Sequence, residues 1–438
     1  MELIHEKSAP SSKSEVLGLS SLPTTQEDVK AGHWEIVGPT QTLTGATSVE
    51  FTAGSGAFCT DLSKSFVEVE FTVTKTGGSI VAADACAPTN LFAHSLWSKV
   101  LLSVNDIDVT SGDRNYPYSA AIMTLIGKHS SWASSGQLEG FYKDTAGSMD
   151  DRAAANTGFM ARKALITAAT AATAAPIVCI AFRPYLGMCQ QQKIIPDRTK
   201  LSLQLEKAAD NFALIHNNVA GATITITRAR WHVRRVELTE SAGRALSQIL
   251  LKENALYSFD RVRVHQQTFR TTAFDFDGLL AGAVPTHIVI GFVSSAAAQG
   301  TANVNPYNFA NMGLSRLQIS AAGFNYPQKE YTPRFVGNTL AGAKIAREYD
   351  ALMKLAHRSG GPEGLLFSMA DFCGGYGLYA FDLTPDLDHG HWSPSYRGDI
   401  EVHGEFAVQP AADVTMVMLA LIPSVIEISG EREIIRDW

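Results

Sequence analysis

The stretch FVEVEFTV, residues 66–73, alternates apolar and polar positions along one side without a break. A period of two places Phe66, Glu68, Glu70 and Thr72 on one face of a strand and Val67, Val69, Phe71 and Val73 on the other. One face is apolar throughout and the other carries charge, the pattern of an antiparallel sheet with one packed and one wet side. Outward from it the chain stays β. Residues 99–104, the pair Asn105-Asp106 and residues 107–109 read as a hairpin, because Asn and Asp tolerate the positive φ of a tight turn. Residues 178–182, 201–205 and 222–238 read as further strands, with a short helix at 118–126.

At 240–255 (ESAGRALSQILLKENA) the period becomes helical, with Leu246, Ile249 and Leu250 on one face. The β pattern then resumes at 259–264, 287–293, 314–319, 376–381, 400–406 and 414–421, with a helix at 343–356. The order repeats: a hairpin, a helix carrying Tyr and Met (Tyr118, Met123; then Tyr349, Met353), then three strands. The offset is roughly 200 residues, about the size of one sandwich, with negligible identity between the halves. Two tandem antiparallel sandwiches joined by a helix follow. The expected divisions are an N-terminal arm 1–33, a first sandwich 34–239, a helical linker 240–256, a second sandwich 257–429 and a C-terminal tail 430–438.

Composition narrows the function. The chain has 438 residues, 45% of them hydrophobic, enough for two cores. Only 18% are charged, which suits a surface largely covered by neighbours. A net charge of −7 argues against a chain that wraps nucleic acid. The five cysteines, Cys59, Cys86, Cys179, Cys189 and Cys373, form no CxxC and are expected as reduced thiols. No secretory signal is read at the start, and the longest apolar run, 414–425, is too short for a bilayer span. The expectation is a chain made inside a cell.

Five segments resemble the hexon-like double jelly-roll major capsid proteins of Polinton/Maverick elements and adintovirus-type double-stranded DNA viruses. They are LFAHSLWSKV (91–100) through Asn105 to YPY (116–118); IPDRTKLSLQL (195–205) with Asp210-Asn211-Phe212; PTHIVIGFV (285–293) with NPYNF (305–309); GYGLYAFDLTPD (375–386); and VIEI (425–428). They run in the family's order over residues 91–428, whereas the arm and the Ala/Thr-rich stretch 164–175 match nothing. The resemblance implies an all-β fold of two tandem antiparallel eight-stranded jelly-roll sandwiches, with short helices in loops and linker. It implies a virion protein that forms homotrimers, pseudo-hexagonal capsomers tiling an icosahedral shell. The implied partners are neighbouring capsomers, penton and minor capsid proteins, with genome or an internal membrane on the inner face. The arm and the segment 431–438, ending in Trp438, would reach under the block to those neighbours. The alternative is a tandem β-sandwich carbohydrate- or receptor-binding protein, for which residues 381–392 are the candidate loop.

Several residues have plain structural readings. Pro285 opens a strand, Gly291 inside an apolar strand marks a bulge or a close approach, and Pro306 and Pro385 sit in loops. Asp382, Asp386, Asp388, His389 and His391 are metal-ligand types crowded into one loop, yet Asp after a strand usually closes a turn. Asp275 and Asp277 share a face but have no acid partner for glycosidase chemistry. Arg228, Arg230, His232 and Arg234 share a strand face, with Trp231 and Arg235 beside them. That stripe reads as an edge strand blunted by charge or paired with a neighbouring subunit; contact with genome is the weaker reading. No GxSxG, P-loop, GxGxxG or HExxH occurs. No catalytic, cofactor-binding or metal residue is assigned, and no enzyme activity is expected.

Overall fold

The computed structural model describes residue 22 and residues 25–110, 112–280, 282–359, 363–385, 387 and 397–437. Sixteen strands build two sandwiches. In the first, β1 (Val29–Val37), β2 (Ser48–Ala53), β3 (Cys59–Lys75), β4 (Trp97–Val104), β5 (Ile107–Asp108), β6 (Val178–Phe182), β7 (Leu201–Lys207) and β8 (Thr223–Leu238) follow in order. They pair antiparallel as β1-β8-β3-β6 and β2-β7-β4-β5. The second sandwich repeats this with β9 (Ala255–Phe269), β10 (Ala273–Phe276), β11 (His287–Ser294), β12 (Leu314–Ala321), β13 (Phe324–Tyr331), β14 (Leu378–Asp382), β15 (Ile400–Phe406) and β16 (Val414–Ile428). Its sheets run β9-β16-β11-β14 and β10-β15-β12-β13. Each sandwich is a jelly roll, two four-stranded sheets in Greek-key order, and the expected fold class is the one observed.

The alternation at 66–73 has the predicted outcome. Val67, Val69, Phe71 and Val73 are buried in the first core, and the residues between them are half-exposed. Asn105 and Asp106 both take positive φ in the β4–β5 turn. The expected strands at 178–182 and 400–406 have those bounds, and β16 is longer than 414–421, reaching Ile428.

The ends of the expected divisions differ from the strands. β1 begins at Val29, inside the segment read as arm: VKAGHWEIV lacks alternation, and backbone bonds to β8 rather than an apolar face hold it. The linker helix spans Glu240–Leu250 and β9 already starts at Ala255. Ile434–Arg436, read as free tail, forms β17. β16 runs on past β11, and β17 covers the edge this leaves open at Ile426–Ile428. Trp438 lies outside the described residues, as does the arm before residue 22.

Strand directions sort the loops into two ends. The connections at 38–47, 76–96, 109–177 and 208–222 of roll 1 share one end with 295–313 and 332–377 of roll 2. The chain starts and ends its strands at the other end, with the shorter turns such as Asn105-Asp106. The long-loop end carries α1 (Tyr116–Gly127), α2 (Thr157–Ile166) and, in roll 2, α4 (Ala346–Leu355); the linker helix is α3. Among the described residues no helix is long and apolar enough to cross a membrane.

Gly291 is the close approach that its position suggested, with no register shift around it. A Cβ there would lie 2.6 Å from the Phe309 ring, so the missing side chain makes room for the last residue of NPYNF. Gly291→Val forces that ring out and should cost about 1–3 kcal/mol, read as a lower denaturant midpoint. The cysteines give a second check. All five are unpaired; burial pushes the Cys86 and Cys189 thiols up to about 12, and Cys179 alone is exposed. A thiol reagent on the native protein should modify Cys179 well ahead of the other four, and all five once unfolded. Comparable rates for a buried cysteine would contradict this packing.

Candidate assembly seam

Asn156, Arg162 and Asp144, which anchor the joint between the rolls, were not singled out by the sequence. Asn156 opens α2: its side chain accepts from the Phe159 N–H at 3.2 Å and donates to the Met149 carbonyl at 3.2 Å. This fixes α2 so that Arg162 points inward, 1% exposed. The guanidinium donates to the carbonyls of Pro88 at 2.8 Å and Tyr142 at 2.9 Å, and to Asp144 Oδ1 at 2.8 Å. Asp144, also buried, accepts on Oδ2 from the Asn305 amide of roll 2 at 3.0 Å. Asn305, with no exposed surface, also donates Nδ2–H to the Met149 carbonyl at 3.1 Å and its backbone N–H to Asp150 Oδ1 at 2.7 Å.

The rest of NPYNF extends this contact. Asn308 donates to Asp150 Oδ2 at 2.6 Å, and the Tyr307 hydroxyl donates to the Pro117 carbonyl at 3.3 Å. The Tyr307 ring meets Tyr118 edge-on at 5.9 Å, so NPYNF of roll 2 sits on YPY of roll 1. The Tyr376 hydroxyl donates to the Asp144 carbonyl at 2.8 Å, and the Gly147 N–H to the Gly374 carbonyl at 2.6 Å. Burial raises the pKa of both Tyr307 and Tyr376, which keeps these phenols as donors.

The opposite end is stitched by the C-terminal segment. Arg432 donates Nε–H to the Asp197 carbonyl at 2.8 Å and a second N–H to its carboxylate at 2.5 Å. Asn105, from the β4–β5 turn, donates to the Arg432 carbonyl at 2.7 Å, and Arg436 to the Asp108 carbonyl at 2.7 Å. The Tyr257 hydroxyl, at the start of β9, donates to the Ile194 carbonyl at 2.8 Å. The rolls are therefore held side by side at both ends.

No family model matches the chain. An uncharacterized protein of Caenorhabditis elegans is 21% identical over 386 residues, covering 83% of this chain and 86% of the relative. In three dimensions the chain is similar to a chain in the cryo-EM structure of the Sputnik virophage, with TM-score 0.62 and 12% identity over 98% of this chain and 93% of that one. It is similar also to the mavirus major capsid protein (0.58, 10%, covering 100% and 96%) and to the Faustovirus major capsid protein (0.56, 10%, 94% and 92%). The fold is the double jelly roll of viral major capsid proteins.

Within this double jelly roll the sequence-stretch LFAHSLW has a packing role. His94, fully buried, lies 2.8 Å from the Tyr116 hydroxyl through Nδ1 and 3.3 Å from Glu139 through Nε2. The Tyr116 hydroxyl also accepts the Tyr185 N–H at 3.2 Å, which ties this stretch to the segment after β6.

The basic stripe is not at an edge of its sheet. β8 lies between β1 and β3, and the glutamates of β3 that alternate outward stand opposite the arginines. Arg228 lies 3.3 Å from Glu70 and His232 2.8 Å from Glu68; Arg234 stacks over Trp34, and buried Arg235 bonds Glu35 at 2.6 Å. The same strand alternation that placed Glu68 and Glu70 outward thus gives Arg228 and His232 partners within the chain. Glu68 and Glu70, with Cys179, bring three ligand atoms within 4.8 Å, but the carboxylates already have partners in His232 and Arg228 and no metal is assigned.

The other candidate loops separate. Asp386, Asp388, His389 and His391 lie outside the described residues, as does half of 381–392. Asp382 accepts from the Thr384 N–H at 2.9 Å, the turn contact expected of it. Asp275 pairs with His403 at 2.6 Å on the exposed face of β10, while Phe274 beside it is buried.

Asp144→Ala would leave the Arg162 guanidinium buried without its counter-charge, at a cost of about 3–5 kcal/mol. Urea unfolding should show that loss, with a much smaller one for Lys354→Ala, whose partner Asp350 is on the surface. Equal effects would mean the node does not hold the rolls.

Proposed function

We propose that the chain is the major capsid protein of a double-stranded DNA virus or of a related integrated element, and that three copies form a pseudo-hexagonal capsomer. The observation that carries this is the pair of complete jelly rolls fixed side by side at both ends, similar over nearly the full length to two viral major capsid proteins. One such pair is a third of a six-cornered block; three copies in a ring supply six rolls, and such blocks tile an icosahedral facet. The role is structural, with no catalytic step. The long-loop end would face outward and the end carrying the strand termini inward, toward penton and minor proteins.

Light scattering after size exclusion tests this on the full chain. A mass near three times 47.2 kDa, with six-lobed particles in negative stain, is expected. A monomer at every concentration and salt would overturn the capsomer.

A further inference from the structure

A cavity of about 520 Å³ opens on the side of roll 1, where the segment after α1 passes the edge strand β6. Its size falls in the usual range of small-molecule sites, roughly 300–1,000 Å³. The jelly roll does not itself dictate an opening here: in roll 2 the equivalent strand, β14, is buried from Leu378 to Phe381. Phe66 of β3, Trp132 and Tyr185 give the cavity an aromatic wall, and Lys128, Arg183 and Glu139 are its charged groups. The wall is held from behind. Two short helical turns, Ser130–Ala133 and Ser135–Glu139, fold closely together because residue 136 is glycine; a Cβ there would lie 2.5 Å from the Trp132 ring. Trp132 also packs on the Phe141 ring at 5.5 Å. Buried His94 fixes two more members: its ring lies 5.0 Å from that of Tyr185, and its Nε2 lies 3.3 Å from Glu139. Ring and carboxylate are thus positioned by the core, which preorganises the site.

The two cations are left with charge to spare. Half-buried Lys128 stands over two rings, 5.4 Å from the centroid of Trp132 and 5.8 Å from that of Tyr185. A ring face attracts a cation but carries no net charge, so it orients the ammonium without neutralising it. Among the described residues no carboxylate pairs with Lys128 or with exposed Arg183, whereas Glu139 is engaged by His94. Two cations against one carboxylate leave a single positive charge in excess.

We propose that this cavity binds an acidic sugar, a hydroxylated ring that bears one carboxylate. The carboxylate meets Lys128 and Arg183 through charge-assisted hydrogen bonds. The apolar C–H face of the ring lies on the aromatic wall, whose π faces are electron-rich, and ring hydroxyls donate to Glu139. A nucleotide suits the site less well. A phosphate monoester carries about 1.5–2 negative charges at neutral pH, more than the excess here, and Glu139 would stand against it. The site lies within one chain, so it holds whether or not three copies form a ring.

Isothermal titration of the full chain tests this, with circular dichroism melts confirming that each variant stays folded. Methyl glucuronide should bind saturably, one per chain. Methyl glucoside, the same ring without the charge, should bind more weakly by about tenfold or more. Lys128→Gln and Arg183→Gln should each weaken glucuronide binding by about tenfold. Lys354→Gln, which removes a surface lysine paired with Asp350, should leave it unchanged. A disaccharide ending in glucuronate separates the sources: tighter binding than the monosaccharide assigns the end of a glycan, equal or weaker binding a free acidic sugar. Glucoside binding as tightly as glucuronide would overturn the anion, and adenosine monophosphate binding more tightly than glucuronide would overturn the sugar. Glucuronide binding that both cavity variants leave intact, or that the wild type lacks, would overturn the site.

Discussion

One buried ion pair, Arg162 with Asp144, sets how the two halves of this molecule face each other. Burying two charges costs several kcal/mol per ion unless their remaining hydrogen-bonding capacity is met. Here the guanidinium reaches two carbonyls besides the carboxylate, and the free carboxylate oxygen takes the Asn305 amide from the other roll. Apolar contact such as that between Tyr118 and Tyr307 would tolerate sliding; a saturated polar node in low dielectric has one geometry. The node belongs to both rolls, so neither can tilt without leaving a buried charge short of a partner.

A second attachment at the far end converts a hinge into a bar. Arg432 and Arg436 belong to the last residues of the chain, and the groups they bond, at Asp197 and Asp108, lie in and beside the turns of roll 1. The final segment therefore crosses back to the first roll after completing the sheet of the second. Fixed at both ends, the pair presents a constant outline, which the proposed capsomer would require of a repeating tile.

Much of this fold is legible in the sequence because strand alternation and turn chemistry are local. The faces of β3, the Asn105-Asp106 turn and the order of helix and strands in each half follow from neighbouring residues. The first half of β1 and all of β17 were read as arm and tail because backbone pairing holds them, and pairing leaves no periodic mark. The seam was legible only in part. YPY and NPYNF were recognised as segments of a family, but that one sits upon the other is a matter of tertiary contact. Arg162, Asp144 and Asn156 lie in a stretch with no motif, and the Asn three residues before Phe159 is a cap signal that went unread. The basic stripe misled for the same reason: strand order, which no single stretch encodes, decides whether a strand is an edge and which charges face it.

The claim that the two rolls are one rigid body is tested most directly by native-state hydrogen exchange across the seam. The Gly147 N–H bonds the Gly374 carbonyl, and the Asn305 N–H bonds Asp150, so both amides report the joint itself. They should exchange only with global unfolding, at the same free energy as the core amides of β3 and β16. Fast exchange at Gly147 and Asn305 while those strands stay protected would show the rolls parting in the folded state, and the rigid pair would be wrong.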